Sequence, residues 1–499
     1  MSNQDHKIPS VDELLTQLLH SVQIPELHAE HTALVSQGLV PVANEQAVSL
    51  EDRYLSSLAA LLLNVAPQEG HFEKAKALEV IAQIDELVSG QLDEILHNAS
   101  FQKLESAWRG VQDVADHIPK SANITLDLLD VSKDELQQDF ENHASDIFAS
   151  SLFQKVYVAE YDQYGGRPYG VLLGDYQFAH VPSDLFWLRS MSKVAAASHA
   201  PFLAAVSAEF FGCQNVHEVE AIQNLEGVVN HPRYGDWNIF RDSDEACYIG
   251  LTFPRYVQRL PWNPETNPVP HLNYREEARG DSSKYLWGNA AWLMARNLIR
   301  SFHQAGWCQH IRGPKGGGLI QGLPIDTFDL HGQEETKMPV EVLVPDYREL
   351  EFAKSGFIPL VWRKASADAA FFSVQSVKRP APLADPKDAE NSQLVCNLAY
   401  TFSVCRIGHH VKGMMRDNIG SSADATYIKS TLNNWIQGFV TTAVNPDEPT
   451  LQAFPFKAAD IQVEATPGQI GFYKCTISVL PHAQFEGMDV ELRLESRLG

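Results

Sequence analysis

The last eleven residues, DVELRLESRLG (489–499), decide how this chain is read. Val490, Leu492, Leu494 and Leu498 fall on one side of an extended chain, and Glu491, Arg493, Glu495 and Arg497 on the other. Strand side chains point to opposite faces with period two, so this is a half-buried β-strand with one apolar and one ionic face, softened only at Ser496. A strand at a free terminus pairs either within its own domain or with a sheet edge of another molecule.

Upstream of it, strands are expected over 460–465 and 471–480, with 481–487 long enough to join the last two as a hairpin. Two helices precede them. One is long, from about 392 to 416; the other places Ile428, Leu432, Trp435, Ile436 and Phe439 on one face. The Pro- and Ala-rich stretch 380–386 reads as a linker and marks a domain boundary. Before it lie strands near 340–344 and 371–377, a glycine-rich loop at 313–322, a helix at 286–305 and a proline-rich loop zone at 255–281. Further back, strand-like segments at 124–129, 155–159 and 169–174 alternate with helices at 136–149 and 185–197, and Pro201 breaks the chain before the apolar run FLAAVSAEFFG. This is an α/β (mixed α+β) arrangement with a mixed or parallel sheet. Residues 51–117 read as helical, with Trp108 and Val111 on an apolar face. Three regions follow: 1–50, an amphipathic helix and tether; 51–380, the main α/β region; and 381–499, a C-terminal domain.

The first helix carries Val11, Leu14, Leu15, Leu18, Leu19 and Val22 at one-face spacing, opens with a Ser10–Glu13 capping box and stops at Pro25. A polar stretch (28–51) tethers it. It either docks on its own domain or lays its apolar face in a partner's groove.

The chain is 499 residues long, 44% hydrophobic and 20% charged, which is the composition of a soluble protein with a large core. Its formal net charge of −24 argues against nucleic acid and anionic membrane as partners. The N-terminus has no apolar h-region, and the oily stretch 58–63 is too short to span a bilayer. Six scattered cysteines without a C-x-x-C pair fit reduced thiols in a cytoplasmic protein.

No catalytic constellation emerges. The loop Gly313-Pro-Lys-Gly-Gly-Gly318 has Lys315 in the wrong place for a Walker A motif and runs on into Leu319 and Ile320. His28 and His31, or adjacent His409 and His410, do not converge on one ion as a metal site requires. Cys308 near His310, and the carboxylates Asp326 and Asp329, lack a third convergent group. No cofactor is expected.

Several blocks together are specific: FQKLESAWRGV (101–111), LRSMSKVAAASHAPFLAAVSAEFFG (188–212), YIGLTFPRYVQRLPW (248–262), IRGPKGGGLIQGLPIDTF (311–328), SGFIPL (355–360), MRDNIGS (415–421) and VELRLESRL (490–498). In order and composition they resemble the large subunit of the type VI secretion contractile sheath, the TssC (VipB) family. The resemblance implies a non-enzymatic structural subunit. It pairs with a small sheath subunit (TssB/VipA family) and with neighbouring sheath heterodimers around an inner tube protein (Hcp family). The sheath stands on a baseplate, contracts to expel tube and spike, and is dismantled by an AAA+ ATPase (ClpV family). It also implies that Val490, Glu491, Leu492, Arg493, Leu494 and Glu495 form an inter-subunit strand, and that Leu14, Leu15, Leu18 and Leu19 are the ATPase-docking face. The competing readings are a non-polymerising adaptor of an AAA+ ATPase, acting through the first helix, and an enzyme holding a phosphorylated ligand in the 313–318 loop.

Overall fold

The computed structural model describes residues 74–482, apart from 271, 444–445 and 467–471. The chain divides into two units. The described part of the first, 74–93 with 263–275, holds most of helix α1 (Lys74–Leu96) and an irregular loop. Within it the Tyr274 hydroxyl donates to Asp93 Oδ1 at 2.6 Å.

The second unit is built on a six-stranded sheet. Its strands are β1 (Leu172–Phe178), β2 (Phe202–Val206), β3 (Ile249–Phe253), β4 (Leu319–Ile320), β5 (Ile358–Trp362) and β6 (Ala369–Phe371), in the order β1-β2-β3-β5-β6-β4. The first four in that order are parallel, and β6 is antiparallel to both its neighbours. β2 and β3, FLAAV and IGLTF, are buried at every residue. Such unbroken apolar runs are what a strand covered on both faces requires.

Helix α4 (Pro182–Ser198) covers one face through Leu185, Leu188, Met191 and Val194. Pro182 is preorganised for the first helical turn, and left-handed His199 ends the helix. Helix α5 (Ala290–Ala305) covers the other face through Ala290, Leu293, Met294 and Leu298. Its N-cap Asn289 accepts from the Ala291 amide at 2.9 Å and donates to the Gly174 carbonyl at 3.3 Å, fixing the helix start to β1. Helix α2 (Ala99–Asp116) leans on α5 where Gly110 meets the Trp292 indole; a side chain at 110 would overlap the ring.

Several sequence expectations are corrected. Residues 155–159 alternate like a strand but lie in a π-helix, Gln154–Tyr161; Phe153 stacks on Tyr157 at 4.6 Å and Tyr157 meets Tyr161 at 5.3 Å, so a row of rings organises this stretch. Residues 124–129 belong to no strand, and Val340 makes only an isolated bridge. Of 371–377 only Phe371 lies in the sheet, at the end of β6; the rest leaves it, with Gln375 making an isolated bridge to Asn397. The long helix of the last region is two, Pro386–Val395 and α6 (Leu398–Asp417), because the Asn397 side chain caps the second at 3.0 Å. On α2, Val111 packs inward, but Trp108 is 61% exposed; Ser106, Gly110 and Val114 form the buried face.

α6 belongs to two cores. Leu398, Ala399 and Phe402 pack with the sheet, whereas Ile407, Val411, Met414 and Met415 pack with the C-terminal cluster. That cluster also holds α7 (Ala425–Gln437) and the antiparallel hairpin β7 (Phe456–Ala465) and β8 (Tyr473–Pro481). Among the described residues no helix is long and apolar enough to cross a membrane.

A candidate interaction surface at the C-terminal hairpin

α7 starts at Asp424, whose carboxylate accepts from the Tyr427 amide at 2.8 Å, and lays Ile428, Leu432 and Ile436 on the hairpin. In the ladder, Ile461 stands opposite Ile477, Val463 opposite Cys475 and Ala459 opposite Val479, and these residues turn inward. Asp460 opposite Ser478, Gln462 opposite Thr476 and Glu464 opposite Lys474 form a polar outer face. The inner row is unequally covered. Ile461 of β7 is fully buried, while Tyr473, Cys475, Ile477 and Val479 of β8 are only half-buried. Among the described residues β8 pairs with β7 alone. The hairpin thus offers a partly covered apolar row beside a backbone edge that has no partner among the described residues, the arrangement that accepts another strand.

The final strand with Val490, Glu491, Leu492, Arg493, Leu494 and Glu495 lies outside the described residues, as does the first helix with Leu14, Leu15, Leu18 and Leu19. β8 ends just upstream of that final strand.

The glycine loop is a closed structural turn. The Gly313 amide donates to the Phe371 carbonyl at 2.7 Å, the Gly318 amide to Gly313 at 2.8 Å, and the Phe371 amide back to Gly318 at 3.0 Å. Arg300 holds the carbonyls of Leu319 and Gly317. Gly317 has φ +90°, and its neighbour Gly318 would press a side chain into the Phe371 carbonyl. Lys315 points to solvent. The amides a phosphate would need at Gly313 and Gly318 are already donating.

The other candidate residues are dispersed. The His409 Nε2–H donates to the Ser198 carbonyl at 3.0 Å, whereas His410 lies against the Trp435 ring. Burial holds the His409 imidazole down at about 4. Burial pushes the Cys308 thiol up to about 12, far from a thiolate at neutral pH. Asp326 accepts from the Tyr285 hydroxyl, while Asp329 closes a turn onto the Gly332 amide. A cavity of about 450 Å³ opens where β1, β2 and β3 end, but its cations are taken: Lys133 by Asp184 at 3.0 Å, Arg255 by Glu341. Among the described residues no group of three or more His, Cys, Asp or Glu could hold a metal ion.

Two constellations were missed from the sequence. In the first, Arg259 bridges Glu105 at 2.7 Å and Glu276 at 2.6 Å, Arg109 joins Glu105 at 2.7 Å, and both guanidiniums lie within 6 Å of the Trp262 ring. Burial pushes the Glu105 carboxyl up, but the two guanidiniums outweigh it and hold it below the ordinary range. Two of the sequence blocks, 101–111 and 248–262, meet here. In the second, the α6 residue Lys412 sits 3.8 Å from the Tyr161 ring centroid and 4.8 Å from that of Tyr157, and bonds Asp162 at 2.7 Å. Arg416 donates to the carbonyls of Tyr161 and Gln163. The i, i+4 spacing of Lys412 and Arg416 was the only sequence signal of this clamp.

Two family models cover most of the chain. One, described as EvpB/VC_A0108, tail sheath N-terminal domain, matches residues 78–378; the other, described as EvpB/VC_A0108, tail sheath gpW/gp25-like domain, matches residues 387–498. They define a contractile tail-sheath protein. The type VI secretion system sheath protein TssC1 of Pseudomonas aeruginosa is 39% identical over 428 residues, covering 85% of this chain and 86% of its own. The chain belongs to the VipB (TssC) family of type VI secretion sheath proteins. Among solved structures, the contracted helical sheath of the anti-feeding prophage matches with a TM-score of 0.31 and 12% identity, over 62% of this chain and 67% of that one. The contracted PVC sheath complex matches with a TM-score of 0.33 and 9% identity, over 62% and 68%. The protein is a structural subunit of the contractile sheath, and its family implies a small-subunit partner and assembly into that sheath.

Proposed function

We propose that this subunit links the sheath by lending its final strand to another protomer. Val490, Leu492 and Leu494 supply the apolar side of that strand, and Glu491, Arg493 and Glu495 the ionic side. The observation that carries the reading is the hairpin: a half-covered apolar row on β8, beside an edge with no described partner. Main-chain pairing of this kind holds subunits together while their bodies rotate, because the connecting loop absorbs the movement. In this reading the sheath surrounds an Hcp-family tube on a baseplate in the cytoplasm. Its role is mechanical, not catalytic. After contraction a ClpV-family ATPase takes hold of the helix bearing Leu14, Leu15, Leu18 and Leu19. Residues 1–50 serve as tether, 51–380 as main region and 381–499 as the linking domain; the family models, which meet between 378 and 387, support the second boundary.

The test is co-expression with the small sheath subunit, followed by electron microscopy, with and without residues 489–499. The full chain should give tubules. The truncated chain should give soluble heterodimers and no tubules. Tubules at normal yield and length from the truncated chain would refute the exchange.

A further inference from the structure

Residues 123–131, NITLDLLDV, contradict their own sequence. Ile, Thr, Leu and Val dominate, and the order alternates as a strand does. Burial alternates too: Ala122, Ile124 and Leu126 turn inward, Asn123, Thr125 and Asp127 outward. Ile124 and Leu126 settle on Val114, Trp292 and Ile299. Yet no backbone N–H or C=O of residues 123–131 bonds another backbone group among the described residues. Side chains alone fasten the segment: Tyr169 donates to Asp127 at 3.1 Å, and Tyr176 of β1 donates to the Val131 carbonyl at 2.7 Å. β1 is an outer strand of the six-stranded sheet and pairs only with β2 among the described residues. Leu128 and Leu129 are 59% and 51% exposed.

We propose that residues 123–131 are a strand held ready for a partner, and that the small sheath subunit supplies it as an extended segment bearing alternate apolar and basic side chains. Nine consecutive residues without a backbone-to-backbone bond among the described residues, the Val131 carbonyl alone being taken by the Tyr176 hydroxyl, form a template that another chain's backbone can complete. A local sequence at odds with its surroundings is where a binding role is expected. Charge fixes the kind of strand. Asp127 and Asp130 are exposed, Asp134 and Glu135 follow in the first turn of α3 (Lys133–Asn142), and the nearby cation Lys133 is committed to Asp184. A strand carrying Lys or Arg matches this row and covers Leu128 and Leu129. The proposal rests on the sheath reading, which supplies the partner.

Hydrogen exchange on the full chain, alone and in complex with the small subunit, tests it. The amides of 123–131 should exchange rapidly in the chain alone and slow by about 100-fold in the complex. The double variant Leu128→Asp with Leu129→Asp alters two exposed side chains, so its own unfolding midpoint should hold while capture of the small subunit drops by on the order of tenfold. Tubules in which 123–131 still exchange freely would overturn the proposal and leave the sheath reading intact. So would normal capture by the double variant. Protection already present in the chain alone would assign the site to a segment of this chain, its own or a second copy's, and overturn the proposal. Failure of the two subunits to associate at all would remove the sheath reading and the proposal with it.

Discussion

At Gly318 an added methyl group would meet the Phe371 carbonyl oxygen and the Gly313 amide nitrogen, both backbone atoms that cannot swing aside. Gly318→Ala should therefore cost about 2 kcal/mol, read as a lower midpoint in denaturant unfolding. Lys315→Ala, at an exposed position three residues before Gly318, should change neither stability nor assembly; a loss of assembly there would revive a ligand role for the loop. His409 carries a pH dependence. Its folded value of about 4 lies below the ordinary 6.5, so between these limits the unfolded chain binds more protons. Its contribution is complete above pH 6.5 and is lost as pH falls toward 4, by at most roughly 1.4 kcal/mol per pH unit. His409→Gln should flatten the fall in melting temperature across that window relative to the parent chain. Identical slopes would show that this imidazole is not the group responsible.

Between elements, the clamp of α6 on the π-helix is the contact with the least sequence warning. Lys412→Ala removes a cation held by two rings and should cost about 1 to 2 kcal/mol, with faster amide exchange in the second half of α6. The exposed Asp162 ion pair contributes little of this. Unchanged exchange across 407–417 would show that the apolar contacts of α6 suffice. FLAAV stood out only as an apolar run after Pro201, and neither it nor IGLTF was read as a strand, because a short run buried on both faces carries no period to tell strand from helix. Helices α4 and α5 were legible at 185–197 and 286–305, but their starts were not: Pro182 opens the first and the unread Asn289 cap begins the second at Ala290. Residues 155–159 were not, because a short K-V-Y-V-A run alternates in either conformation and the stacking of Phe153, Tyr157 and Tyr161 decides between them. The ion network around Arg259 was equally hidden: Glu105, Arg259 and Glu276 are far apart in sequence, and only folding brings them together. The strand reading of 124–129 matched the alternation but not the pairing: among the described residues this stretch bonds no other backbone group.

For the whole molecule, the strand exchange proposed above makes the length of the connection after the hairpin a mechanical quantity. Inserting five or so residues between 482 and 489 should permit assembly with the small subunit but yield tubules that resist contraction, seen by counting extended and contracted particles. Full contraction and normal secretion would break the link between tether length and motion. On that proposal, force reaches the body from that end of the chain. α6, about 30 Å of continuous helix, has one end embedded beside the sheet at Leu398 and Phe402 and the other beneath the hairpin at Ile407 and Met415. It is an axle journalled at both ends, with the clamp on Lys412 and Arg416 as a key against slip. A twist applied at the hairpin would therefore reach the six-stranded sheet through α6.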